Sequence, residues 1–376
     1  MSQPGTPALL RSLNDRTALG LLFEHGTLTR NQLGELSGLS KPTASQMVQR
    51  LEAAGLIQAV SEVSGGRGPN AIGYGVRANR ALGVAIAVEV DELRSTLVDA
   101  TGTEYPVVAT PGTKDAVADV RAAVEKAAGS QRANVRVVVI GIPGSVDPTS
   151  DELLFAETLE GWPTKGVREL LEKDLGLTVL IDNDAKLAAV AERREGSATD
   201  VGGFALLWMG DGLGLAVDLD GVVYRGAAGG AGEIGYLPVP RAAAQIDATA
   251  EDLQDLIGSP TVAAIGRAAG VTGSDAEVIE AMTDAVREQL APRIALGVVP
   301  VLAILDPEVV VLGGPTGAAG GQALADLVRE HVARTSHWNP RVIATTVSSR
   351  PVLRGAREVL MHEVRERLFA ELGALP

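Results

Sequence analysis

Hydrophobic positions along this chain change their period twice. From residue 14 to residue 51 apolar side chains recur three and four apart, the spacing of one helix face. Asn14 to His25 (NDRTALGLLFEH) predicts a helix stopped by Gly26. Thr29 predicts a cap for a second helix that turns Leu33 and Leu36 inward and ends at Gly38. Ser40 predicts a third cap, with Pro42 tolerated in the first turn that follows. On that third helix Ala44, Met47, Val48 and Leu51 form one apolar face. Ser40, Lys41, Thr43, Ser45, Gln46 and Arg50 are left to face outward. After Gly55 the period shortens: IQAVSEV and NAIGYGV are two strand-like runs around SGGRGPN, which places Arg67 at a hairpin tip.

Two helices joined by a short glycine-containing turn make a helix-turn-helix, whose second helix fits the major groove. The hairpin reads as a wing that sets Arg67 against phosphate or into the minor groove. The plainer alternative is a three-helix cap used for dimerisation, with Arg67 a solvated turn residue.

From Leu82 the texture becomes strand-rich. LGVAIAVEV, RSTLVDA and EYPVVAT precede a helix (115–128), the strand VRVVVIGIPG, a helix (166–175), the strand TVLID and the helix AKLAAVAERREG. A similar order follows: FALLWMG, LGLAVDL and GVVYRG, with Asp220-Gly221 as a hairpin turn. Helices are expected over 249–257 and 277–305, then VVVLGG, a helix (321–334), RVIATTV and a final helix (354–369). Three strands followed by alternating helix and strand, twice, predict a duplicated α/β body with a cleft between its halves. The expected divisions are 1–78, 79–198 and 199–376.

Charge sharpens the division between head and body. Of 33 Lys+Arg and 47 Asp+Glu, residues 1–80 hold 8 and 5, a balance of +3; the remainder holds 25 against 42, a balance of −17. Only the head suits nucleic acid. The chain has no cysteine, which excludes disulfides, thiolate metal sites and cysteine catalysis. The N-terminus lacks the pattern of a secretory signal, and the longest apolar run, near 294–305, is interrupted by Gly297 and Pro300. A cytoplasmic protein with no membrane partner is the expectation.

Several motifs carry a family resemblance: GIPGSVD (141–147), EGW (160–162), IDNDAKLAAVAERREG (181–196), GDGLGLAV (210–217), GGAGEIGY (229–236) and VVVLGG (309–314). In this order, behind a winged helix, the chain resembles the ROK family of repressors, open reading frames and sugar kinases. It is similar to the family's xylose- and N-acetylglucosamine-type sugar-responsive repressors. The resemblance implies an actin-like sugar-kinase fold with an interlobe cleft. It also implies a homodimer or homotetramer that releases operator DNA when a small carbohydrate binds.

The resemblance also assigns residues. Asp184, beside Asn183, stands where the family's kinases carry the general base; the alternative is a helix cap alone. Glu233 stands where the family holds sugar hydroxyls, and Gly161 lies in the matching EGW motif. Tyr236 replaces the family's usual histidine, a residue of both the sugar site and a zinc site, and the following stretch offers no Cys or His. The phosphate-binding turn has Ala85 or Ala87 where an aspartate is expected, followed by Glu89, Asp91 and Glu92, which repel a triphosphate. The expectation is therefore a regulator without metal, cofactor or phosphoryl transfer, with Asp184 vestigial as a base. Two rivals stay open: a sugar kinase with a DNA-binding head, and a regulator answering to no sugar.

Overall fold

A computed structural model describes residues 7–63 and 71–372. Arg67 lies outside them. The head begins with helix α1 (Pro7–His25), longer at its start than expected. A two-residue strand β1 (Leu28–Thr29) leads into α2 (Arg30–Ser37) and then α3 (Lys41–Ala53). Thr29 closes a capping box: its side chain accepts from the Gln32 N–H, and the Gln32 side chain accepts from the Thr29 N–H. Leu33 is buried as expected, but Leu36 is 51% exposed. The reason is rotational. Gly34 is buried in the packed face of α2, and Leu36, two residues on, is turned about 200° away from it. Strands β2 (Ile57–Val63) and β3 (Ala71–Val76) pair antiparallel and close a small sheet in the order β1-β3-β2.

The body begins almost at once, after a short 3-10 turn at Ala78–Arg80. Strands β4 (Leu82–Val88), β5 (Glu92–Asp99) and β6 (Val108–Pro111) form a meander, followed by α4 (Ala116–Ala128) and β7 (Val135–Ile142). A small hairpin of β8 (Ser145–Val146) and β9 (Leu153–Leu154) then precedes α5 (Val167–Leu175), β10 (Thr178–Asn183) and α6 (Asp184–Glu195). The second half repeats the plan with β11 (Gly203–Met209), β12 (Leu213–Leu219) and β13 (Val222–Tyr224). The region expected as one helix over 277–305 is split. Helices α7 (Leu253–Ile257), α8 (Ser259–Ala268) and α9 (Asp275–Glu280) precede α10 (Asp284–Leu305). Strand β14 (Val309–Gly313), α11 (Gly314–Thr335, broken at Gly321), β15 (Val342–Ala344) and α12 (Pro351–Leu372) complete the chain.

The duplication is visible in the sheets. One runs β10-β7-β4-β5-β6 and the other β15-β14-β11-β12-β13, each with three antiparallel strands and two parallel additions in matching places.

The expected 199–376 boundary needs correcting, because the last helix of each half crosses to the other. Leu353, Ala356 and Leu360 of α12 pack with Ala85, Ala87, Val137 and Val139 of the first sheet. In exchange, Ala185, Ala188 and Ala189 of α6 pack with Phe204, Leu206 and Trp208 of the second. The two helices touch backbone to backbone: a Cβ on Gly355 would lie 1.8 Å from the Leu187 carbonyl oxygen, so only glycine fits.

Helix α12 also carries the head. Phe23 of α1 and Phe369 meet edge to face at 5.5 Å, and Arg16 bonds Glu366 at 3.1 Å. The buried core therefore runs without a break from Leu19 and Leu22 to Leu368 and Leu372. Helix α10 continues through Gly297 and Pro300, which interrupt the apolar run but not the helix. It is long and apolar enough to cross a membrane by composition. Here it buries Leu290, Ile294, Val298 and Leu302 in the core of the second lobe, against α7, α8 and α11.

Candidate effector cleft and DNA-facing helix

On α3 the first turn is presented to solvent. Lys41 and Gln46 are exposed, Thr43 and Ser45 partly so, and Gln49, which the sequence did not single out, shares their exposure. The cap occupies Ser40: its hydroxyl lies 2.8 Å from that of Thr43 and accepts from the Thr43 N–H. Arg50 departs from expectation. Its guanidinium grips Asp15 of α1 with two bonds, at 2.6 and 3.2 Å, and Asp15 is buried. Arg50 therefore holds α3 onto α1 and does not present a free charge to a groove.

The cleft is built at the carboxyl ends of β7 and β10, where parallel α/β sheets place their ligands. Parallel pairing sets Asn183 opposite Ile142, so the loop after β7 and the start of α6 adjoin. The Asn183 side chain spans that junction. Its amide donates to the Gly144 carbonyl at 3.2 Å, and its oxygen caps α6 by accepting from the Lys186 N–H. Asp184 follows, with one carboxylate oxygen accepting from the Ala185 N–H at 2.7 Å. It keeps a little solvent contact while its carboxyl is enclosed by protein, and that burial is the main cause of a pKa pushed up to about 7. The nearby Glu233 and Asp211 charges push the same way, while the Ala185 N–H and Lys186 oppose them.

Glu233 arrives from the second lobe on the glycine loop. It accepts a hydrogen bond from the Ser145 hydroxyl of the first lobe at 3.2 Å. Burial raises its pKa, against the opposing pull of Lys186 and Ser145. Among the described residues, one oxygen of Asp184 and one of Glu233 accept no hydrogen bond. Those two oxygens are acceptors free for a polyol.

Sequence reasoning missed Lys186. It is 2% exposed, its ammonium donates to the Gly229 carbonyl of the glycine loop, and burial lowers its pKa. It sits among the charges of Asp182, Asp184 and Glu233. Asp182 in turn accepts two bonds from Arg225, at 2.7 and 3.0 Å, tying the lobes at the cleft's edge. The one available signal was the lysine inside an otherwise alanine-rich helix start.

The other expected contacts are turned aside. The Tyr236 hydroxyl donates to Glu157 at 2.6 Å and its ring leans on Phe155 at 5.4 Å, leaving the residue 51% exposed at the rim. Burial and the Glu157 carboxylate raise its pKa. Gly161 has φ +79°, and a Cβ there would lie 1.9 Å from the Lys114 carbonyl oxygen. Its bare face is filled by that carbonyl, so close approach of backbone explains the glycine.

The phosphate side is self-satisfied. Ala85 and Ala87 are buried in β4, and Arg94 binds Glu89 and Glu92 at the following turn. In the GDGLG turn the Gln254 side chain accepts from the Leu213 N–H at 2.6 Å and donates to the Asp211 carbonyl at 2.9 Å. Ser259 donates to the Gly210 carbonyl at 2.6 Å. No group of three His, Cys, Asp or Glu among the described residues is placed to hold a metal.

Residues 84–363 match the ROK family, most of the chain. The chain belongs to the ROK family. Residues 12–68 also match the MarR family, so the winged-helix head has its own independent match. Among ROK relatives, a protein named xylose repressor from Caldicellulosiruptor bescii is 26% identical over 248 residues, covering 62% of this chain and 61% of that protein. A glucokinase from Halalkalibacterium halodurans is 25% identical over 215 residues, 51% of this chain and 64% of that one. The chain thus spans under two thirds of the length of either relative. A solved ROK family transcriptional regulator, described as a homolog of the E. coli MLC protein, superposes with a TM-score of 0.70. At 18% identity it covers 97% of this chain and 99% of its own, which establishes the fold through head and body together.

Proposed function

We propose that this chain is a DNA-binding transcriptional regulator, acting as a repressor, whose body senses a small carbohydrate without phosphoryl transfer. The observation that carries this reading is the contrast inside the cleft. Asp184 and Glu233 each keep an acceptor oxygen, while in the glycine turn that would receive phosphate the Leu213 N–H already donates to Gln254. The xylose repressor's name and the MarR-type head point the same way. Two copies would bind a palindromic operator in the cytoplasm through Lys41, Thr43, Ser45 and Gln46, with Arg67 of the wing as a proposed phosphate contact. Sugar binding would favour one lobe closure and, through α6 and α12, one setting of the heads. Only a difference in affinity between the two settings can shift the balance.

One observation favours the kinase rival. An Asp184 carboxyl near neutrality suits a general base. A thermal-shift screen of sugars, sugar phosphates and ATP separates the readings. A sugar that raises Tm, loses its effect in Glu233→Ala and releases operator DNA in gel shift supports sensing. ATP-dependent phosphorylation of a hexose that stops in Asp184→Asn would establish the kinase. Silence across the panel would favour a regulator answering to no sugar.

A further inference from the structure

Away from the cleft, the joint between head and body carries a concentration of positive charge. A cavity of about 280 Å³ is lined by Arg77, Asn79 and Arg80 from the segment after β3, Asn134 just before β7 and Arg136 at its start, and Glu371 from α12. Three guanidiniums face one carboxylate. Glu371 is committed to Arg80 at 3.0 Å. Arg136 is steered by its own backbone, donating to the Ala133 carbonyl at 2.7 Å and the Val135 carbonyl at 3.1 Å, and has no carboxylate partner among the described residues. The Arg77 side chain makes no hydrogen bond or ion pair among those residues, its backbone N–H donating to the Leu56 carbonyl at 2.9 Å. The site therefore holds a surplus of two positive charges in a chain whose overall net charge is −14.

Arg136 also lines an adjoining cavity of about 430 Å³ with Arg132, Glu172, Gly176, Leu177 and Thr178. There the charged groups are already used: Arg132 donates to the Leu175 carbonyl, and Glu172 accepts from the Val179 N–H. One compartment thus offers unpaired guanidiniums and the next a hollow of small-ligand size in which Arg132 and Glu172 are held by backbone bonds.

We propose that this joint is a second binding site, for a small phosphate monoester. The dianionic phosphate would sit between Arg77 and Arg136, and its organic part would extend into the larger hollow. A dianion cancels the surplus charge, and guanidiniums bind phosphate oxygens in paired, planar fashion. Two unpaired arginines in a concavity favour a compact anion over the open backbone of DNA. A bound ligand would touch the head's last segment, the first lobe and α12 at once, bracing the head against the body. The proposal stands apart from the sugar-sensing reading, since no residue is shared.

The test is calorimetric titration of the full chain with inorganic phosphate and with ribose 5-phosphate, sodium chloride serving as the ionic-strength control. Saturable binding is expected, with a Kd of about 1 mM or tighter for the better probe. Stronger binding of ribose 5-phosphate assigns the larger hollow to the organic part. Equal binding makes free phosphate the ligand and removes that assignment. Arg77→Gln and Arg136→Gln are each expected to weaken binding about tenfold, the loss of one charge-assisted contact. Because the Arg77 guanidinium bonds nothing and Gln keeps the backbone bonds, Arg77→Gln leaves the fold intact, and an unchanged Tm without ligand checks this. Binding that persists in Glu233→Ala locates it outside the cleft. No saturable heat, binding indifferent to both arginine variants, or binding abolished by Glu233→Ala would overturn the proposal. So would an Arg77→Gln protein that loses operator affinity in a chain showing no phosphate binding.

Discussion

Helices α3 and α6 begin alike and end up in opposite environments. Each opens on a polar N-cap, Ser40 or Asn183, and each carries an expected contact residue, Lys41 or Asp184, at the first position of its first turn. In α3 that turn faces water, and Lys41 and Gln46 remain exposed. In α6 it is enclosed by two lobes, and Asp184, Lys186 and the facing Glu233 all have pKa values moved by burial. The comparison teaches that a capped polar helix start is only a template. Exposed, it makes a surface whose interactions salt will screen. Enclosed, it makes a site whose behaviour follows pH.

The largest expected effect lies where the contrast is broken, at Arg50. Its exposure was expected, but it pairs with buried Asp15, so Arg50→Ala strands a carboxylate inside the head. A cost of about 3–5 kcal/mol is expected for breaking a buried pair. Operator binding should fall with a lowered Tm, and Arg50→Ala combined with Asp15→Asn should recover part of that Tm. Operator loss at an unchanged Tm would instead make Arg50 a direct contact.

Next in size is Glu233→Ala, which should abolish any sugar-induced rise in Tm while leaving gel-shift affinity without sugar near wild type.

Asp184→Asn sharpens the enclosed side through pH. The folded carboxyl holds its proton up to about pH 7, whereas an ordinary aspartate releases it near 3.8. The folded state therefore binds the extra proton between those values, and stability falls as pH rises across that window. Asp184→Asn removes the loss, worth at most about 4 kcal/mol. The variant should melt higher than wild type at pH 8, and the difference should vanish toward pH 4. A constant difference across the range would sink the assignment.

The smallest effect belongs to the exposed side. Lys41→Ala should weaken operator binding by about 1 kcal/mol and make the salt dependence shallower by about one phosphate contact. Its pH profile should match wild type.

Local chemistry was legible in the sequence. Thr29, Ser40 and Asn183 cap helices by bonding residues three positions on, and Ala44, Met47, Val48 and Leu51 share a face through helix period alone. The duplicated order of strands and helices followed from alternating patterns in the same way. Apart from Leu36 and the split of the helix expected over 277–305, the misses involve partners distant along the chain. Arg50 meets Asp15 across 35 residues, Lys186 meets Gly229 across 43, and α12 returns to the first sheet after the whole second lobe. Hydrophobic period states which face of α12 is buried and says nothing about which sheet buries it. That choice belonged to the tertiary structure, where Gly355 admits the Leu187 backbone and the two lobes exchange their last helices. The same packing encloses Asp184, and only that enclosure turns a helix-start aspartate into a group titrating near neutrality.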